Sequence, residues 1–93
     1  MIDAVFKALS DPNRRKILQI LKKEDMPVSK IHKKFTITMA SLSHHLDILK
    51  RANLVISERK GQQIIYSLNL SVFEEVMSTF MQFFKPNNNE KSS

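Results

Sequence analysis

Thr38-Met39-Ala40-Ser41-Leu42-Ser43-His44-His45-Leu46-Asp47-Ile48-Leu49 is the stretch on which the fold turns. Wound at about 100° per residue, Leu42, His45, Leu46 and Leu49 gather on one face and Ala40, His44, Asp47 and Arg51 on the opposite one, with Ser41 and Ser43 on the flanks. Thr38 has the chemistry of an N-cap, and Ile37 before it with Leu42 forms a hydrophobic staple that sets the entry angle of the helix. The uncovered side of its first turns is small and polar. Short side chains let a helix backbone approach base edges in a DNA major groove, and hydroxyls or an imidazole can then hydrogen-bond bases or phosphates. Serine and alanine on a solvent face are otherwise ordinary, so the flanking segments carry the rest of the argument.

Immediately upstream, Pro27 opens a short helix in which Val28, Ile31 and Phe35 point one way while Lys30, Lys33 and Lys34 point largely another, and Thr36-Ile37-Thr38 breaks it. Two helices joined by a short turn form a helix-turn-helix outline. Before that, Asp11 precedes Pro12 as an N-cap precedes a proline at the first helical position, and a helix should run from Pro12 to Lys23 with Ile17, Leu18, Ile20 and Leu21 as its apolar set. Arg14, Arg15 and Lys16 crowd its first turns, where the helix dipole disfavours each cation by roughly 0.3–1 kcal/mol. That placement asks for a counter-charge, a carboxylate or a phosphate. The chain begins with a helix whose Ile2, Val5, Phe6 and Leu9 make one apolar stripe facing a partner.

Downstream, two runs rich in β-branched residues, Leu54 to Lys60 and Gln63 to Leu68, flank Gly61-Gln62. The chain's single glycine placed between two strands marks a hairpin turn with positive φ. Arg59, Lys60, Gln62 and Gln63 surround the tip, and a ribbon so charged can lie along phosphates or enter a minor groove. The last helix opens with Ser71 and Glu74 in capping-box spacing. Its Phe73, Val76, Met77, Phe80, Met81, Phe83 and Phe84 are more apolar surface than one side of a small domain can cover. The polar tail Pro86 to Ser93 is expected to be disordered.

Composition narrows the function. At 93 residues there is one domain at most, and with no cysteine there is no disulfide, thiolate metal site or cysteine nucleophile, so association between chains is the remaining way to stabilise so small a core. The net charge is +6, and between Arg14 and Lys60 lie twelve Lys and Arg against four acids, a distribution suited to a polyanion. A basic face of this kind also fits an acidic protein or an anionic membrane surface. No apolar run is long enough to span a bilayer and Met1-Ile2-Asp3-Ala4 carries no basic stretch followed by an apolar run, which predicts a cytoplasmic protein without membrane insertion. There is no phosphate-cradling glycine loop and no assembled nucleophile, base and acid, so no enzyme is read here. Adjacent helix residues diverge by about 100°, so His44 and His45 cannot readily chelate one ion with His32; His45 reads as a packed core histidine and His44 as a DNA contact.

The ordered motifs resemble a known family. Asp11-Pro12-Asn13-Arg14-Arg15-Lys16-Ile17-Leu18 is similar to the signature that opens the second helix in ArsR/SmtB repressors, departing at Asn13, where threonine is usual. Ser41 to Leu49 resembles the family's recognition-helix core, Ala52-Asn53-Leu54-Val55 the approach to the wing, and Gly61 to Leu68 its return strand. Within the family the SdpR-like autorepressors are the nearest subgroup.

The resemblance implies a mainly α winged helix-turn-helix with a β-hairpin, in the order α-α-α-α-β-β-α, dimerising through its first and last helices. Residues 1–85 would form the DNA-binding and dimerisation domain and 86–93 the tail. The expected reader is a homodimeric repressor that occludes an imperfect palindromic operator, with autoregulation and release by a sequestering protein partner as subgroup traits. Expected DNA contacts are Thr38, Ala40, Ser41, Ser43 and His44 on the recognition helix, Arg59, Lys60 and Gln62 on the wing, and Lys33. The expected dimer face is Ile2, Val5, Phe6, Phe73, Val76, Met77, Phe80, Met81 and Phe84. The family's thiolate positions fall near Pro27 and Ser29 and the last helix lacks histidine, so neither a metal nor another cofactor is expected. An apolar ligand lodged among the interface methionines and phenylalanines is a further reading of the same helix.

Overall fold

The computed structural model describes residues 2–85, and the expected disordered tail lies outside the described residues. Helices α1 (Ile2–Leu9), α2 (Pro12–Lys23), α3 (Val28–His32), α4 (Met39–Arg51) and α5 (Leu70–Phe84) are joined by strands β1 (Met26–Pro27), β2 (Val55–Lys60) and β3 (Gln63–Leu68). The sheet is antiparallel with order β1-β3-β2. This is the expected winged helix-turn-helix with one addition, the short strand β1. Met26 pairs with Tyr66 and Pro27 with Ile65, at an edge where proline's missing N–H does no harm.

Helix α2 starts at Pro12 because Asp11 Oδ1 accepts from the amides of Asn13 at 2.8 Å and Arg14 at 3.2 Å. Burial raises the Asp11 pKa, but those backbone hydrogen bonds, helped by the nearby His45 and Arg14, outweigh it and hold the carboxyl below its ordinary range. Among the described residues the first partners of the cations in these turns are backbone carbonyls, not carboxylates. Arg14 and Arg15 donate to the last carbonyls of α1, at Ala8, Lys7 and Leu9, and Lys16 donates to the Lys34 carbonyl with its Nζ 4.5 Å from the centre of the Phe35 ring. The negative ends of two neighbouring helices supply the counter-charge.

Helix α3 is shorter than its apolar spacing predicts. After His32 the chain tightens, with Lys34 N donating to Ile31 O and Phe35 N to His32 O, both at 3.0 Å. Helix α5 begins two residues earlier than Ser71 suggested. Asn69 is its N-cap and accepts from the Val72 amide at 3.5 Å, which leaves Ser71 and Glu74 inside the helix.

The core is made by Val5 and Ala8 of α1, Ile17, Leu18 and Leu21 of α2, Ile31 of α3, Leu42, Leu46 and Leu49 of α4, and Leu54 and Val55 before and within β2. Val5 is completely buried in this core, so the expectation that it belongs to a face offered to another chain is corrected: α1 turns Val5 and Ala8 inward and leaves Phe6 exposed. Helix α5 has no buried residue. Val72, Phe73 and Val76 lean on the core, while Leu70, Met77, Met81, Phe83 and Phe84 are each more than half exposed.

Candidate nucleic-acid interface

The side chain of Thr38 caps α4 by accepting from Ser41 N at 3.1 Å, and its carbonyl accepts from Leu42 N at 2.9 Å. His32 fastens the turn before it: its Nε2 lies 2.8 Å from the Ile37 carbonyl, which can only accept, so this nitrogen carries the proton. No spacing rule would assign His32 that duty, because it depends on the loop folding back.

The two faces of α4 divide as the periodicity predicts. Leu42, Leu46 and Leu49 are buried with His45, while Thr38, Ala40, Ser43, His44, Asp47 and Arg51 are exposed and Ser41 is half-buried. Asp47 and Arg51 pair along the exposed side at 2.9 Å. Met39, at the first helical position, is also exposed and was not among the expected contacts; its place on the flank beside Ser43 is readable from the same helical wheel.

His45 is held from the α2 side. Arg14 Nη1 lies 3.1 Å from His45 Nδ1, and Asp11 Oδ1 lies 3.9 Å from the same atom. Arg14 is itself buried and also bonds the Ala8 and Lys7 carbonyls of α1. The opposite end of α4 stops in a Schellman arrangement: Leu54 N donates to Leu49 O, Asn53 N donates to Lys50 O, and Asn53 has φ 62°. Asparagine tolerates this left-handed geometry and turns the chain directly into β2.

The hairpin tip bends at Gly61, φ 63°, with Arg59, Lys60, Gln62 and Gln63 all exposed. Arg59 Nε donates to the Gly61 carbonyl at 3.3 Å, and Lys60 Nζ lies 3.9 Å from Glu58. Lys33, the C-cap of α3, is exposed as well. Between wing and helix, burial and secondarily the Asp47 carboxylate raise the pKa of Tyr66, which keeps its phenol neutral. Of the expected dimer residues, Phe6, Met77, Phe80, Met81 and Phe84 are exposed, and Ile2, Phe73 and Val76 are half-buried. Among the described residues no three His, Asp or Glu side chains gather to hold a metal ion, and no helix is long and apolar enough to cross a membrane.

Residues 9–58, spanning α2 to the middle of β2, match a family model described as a helix-turn-helix domain. The transcriptional repressor SdpR of Bacillus subtilis (strain 168) is 46% identical over 86 residues, covering 92% of this chain and 96% of its own length. The chain belongs to the ArsR/SmtB family of winged helix-turn-helix repressors. The arsenical resistance operon repressor of the same organism is 38% identical over 65 residues, which are 69% of this family member and 62% of that protein. An ArsR-like transcriptional regulator from Rhodococcus sp. RHA1 superposes with a TM-score of 0.81 at 27% identity, over 88% of this ArsR/SmtB chain and 77% of that one. Its relatives are transcriptional regulators with DNA-binding folds, not enzymes.

Proposed function

We propose that this repressor acts as a homodimer that occupies an operator and excludes the transcription machinery, without sensing a metal. The observation that carries the reading is the uncovered side of α4: Ala40, Ser43 and His44 stand exposed on a helix whose other side is locked into the core. Short side chains there allow the first turns to enter a major groove, where Ser41, Ser43 and His44 can bond bases and Thr38 a flanking phosphate. Met39 adds an apolar group suited to a thymine methyl. Arg59, Lys60 and Gln62 on the wing, with Lys33, hold the sugar-phosphate backbone. The exposed apolar face of α5, continued by Phe6, supports pairing with a second copy.

Selection of binding sites from random duplexes tests this reading. The expected product is an imperfect palindrome whose half-sites are about 34 Å, one DNA turn, or a multiple of it apart. With about six phosphates neutralised per dimer, log K should fall with log salt at a slope near about −5. A slope near zero, or equal affinity for duplex DNA and an acidic peptide of matched charge, overturns it in favour of a protein-binding basic module. Including the DNA upstream of the chain's own coding sequence tests autoregulation. A search for partners that compete with DNA tests release by sequestration.

A further inference from the structure

Arg14 touches both halves of the molecule's machinery. The residue is only 9% exposed, and its guanidinium donates from Nε to the Ala8 carbonyl at 2.8 Å and from Nη2 to the Lys7 carbonyl at 3.2 Å, in the last turn of α1. Its third arm, Nη1, reaches His45 Nδ1 at 3.1 Å in the second turn of α4. A guanidinium has donors only, so Nδ1 offers its lone pair and the proton of the neutral ring sits on Nε2. Among the described residues no carboxylate lies within ion-pair distance of this buried cation. Asp11 is engaged by the amides of Asn13 and Arg14. The charge of Arg14 is met instead by two carbonyls at a helix end and by an imidazole lone pair. The planar fork makes these bonds simultaneously, which a lysine ammonium on its flexible stem cannot reproduce.

His45 sits between His44, exposed on the reading side, and Leu46, in the core. A change at its ring therefore displaces the reading face. We propose that Arg14 and His45 are positioning residues for DNA recognition, their hydrogen bond being a strut that fixes α4 relative to α1, and that protonation of His45 releases it. This inference rests on the DNA-binding reading above. Protonation converts Nδ1 from acceptor to donor and sets two cations against each other. The new N–H finds Asp11 Oδ1, 3.9 Å away, as its nearest carboxylate. The charged and titratable groups facing the ring are Asp11 and Arg14 from α2 and His44 from α4, with ring centroids 6.0 Å apart; α1 contributes carbonyls through Arg14. In a dimer joined through α1 and α5, losing the strut moves both readers at once. Affinity for the correctly spaced palindrome then falls, while attraction to phosphates in general does not.

The test uses the full chain carrying His44→Gln, which removes the other histidine of the reading helix, and two duplexes: the palindrome selected with the unaltered chain and a scrambled one. On lowering the pH from about 8 to about 5.5, affinity for the palindrome should fall about tenfold, within the range of coupling between linked sites, with little change on the scrambled duplex. His45→Asn places an amide oxygen near the position of Nδ1 and does not titrate. It should recover most of the affinity that His45→Leu loses, and its pH profile should be flat. Nitrogen-15 NMR of the imidazole should show Nδ1 unprotonated and Nε2 protonated in the neutral ring. The Nδ1–H tautomer, equal binding by the Asn and Leu variants, or an equal pH fall in the Asn variant overturns the strut. Failure of the unaltered chain to bind any duplex overturns the DNA-binding reading, and the strut's role in recognition falls with it even where the NMR signature is present.

Discussion

Phe6 of α1 and Phe80 of α5 meet edge to face with ring centroids 6.4 Å apart, yet 45% of one and 40% of the other remain exposed. Phe80 makes a second edge contact with Phe84 at 5.0 Å. The first and last helices are thus tied together by aromatic rings whose outer surfaces continue into Met77 and Met81. Such a contact contributes about 0.5–1.5 kcal/mol beyond area burial, too little to justify leaving so much apolar surface in water.

Met77→Glu should therefore leave the chain folded, since Met77 is 56% exposed in the single chain, but shift it to monomer in sedimentation equilibrium. A charge inserted into the seam would be buried without a partner, and dimerisation should weaken by at least about tenfold. An undisturbed dimer removes α5 from the interface.

Ala40→Phe should abolish selective binding without altering the melting temperature, because the residue is exposed and makes no core contact. Losing the approach of one helix to its bases should cost roughly 1–3 kcal/mol per contact, read as a tenfold or greater loss on the selected palindrome in an electrophoretic mobility assay.

Lys60→Ala should weaken all duplexes alike. Loss of one phosphate contact per chain, two per dimer, reduces the salt slope by about 1.8. A changed sequence preference in place of a changed slope would make Lys60 a base reader.

Asp11→Ala removes the cap of α2 and should cost about 1 kcal/mol in denaturant unfolding. The folded pKa of Asp11 is depressed, so its contribution is complete above the ordinary carboxylate value of about 3.9 and is lost as pH falls through the lower folded value. Asp11→Asn keeps an acceptor oxygen at the cap and should lose that acid dependence.

Asn53 and Gly61 both occupy left-handed backbone, at φ 62° and 63°. Asn53→Ala and Gly61→Ala should each destabilise by about 1 kcal/mol, whereas Asn53→Gly should be neutral or stabilising. At Gly61 the cost is conformational alone, because an added Cβ meets nothing within 4 Å.

The features of this fold are unequally visible in its sequence. The division of α4 was legible because four residues at helical spacing are all buried and the opposite side is polar, so one periodicity explains the whole helix. The caps at Asp11 and Thr38 were legible for a similar reason: each satisfies amides of its own first turn, within two or three residues. Gly61 was readable as the only residue free to take its turn's geometry.

Tertiary approach was not legible. Strand β1 is two residues long and exists because Tyr66 and Ile65 come alongside, a pairing that no local pattern announces. Arg14 looked like a misplaced cation because its acceptors belong to the preceding helix. Val5 and Phe6 are neighbours of similar hydropathy, and only the docking angle of α1 decides that the first is buried and the second exposed. Asn69 and Ser71 both have cap chemistry, and the helix takes the earlier one.

If, as proposed, the oily flank of the last helix finds cover in a sister chain, the protein counts its own copies. Below the concentration at which chains pair, the population of competent readers grows as the square of the number of chains, so doubling synthesis quadruples it. Promoter silencing would then switch on over a narrow range of expression, and a modest drain on the pool of free chains would lift it.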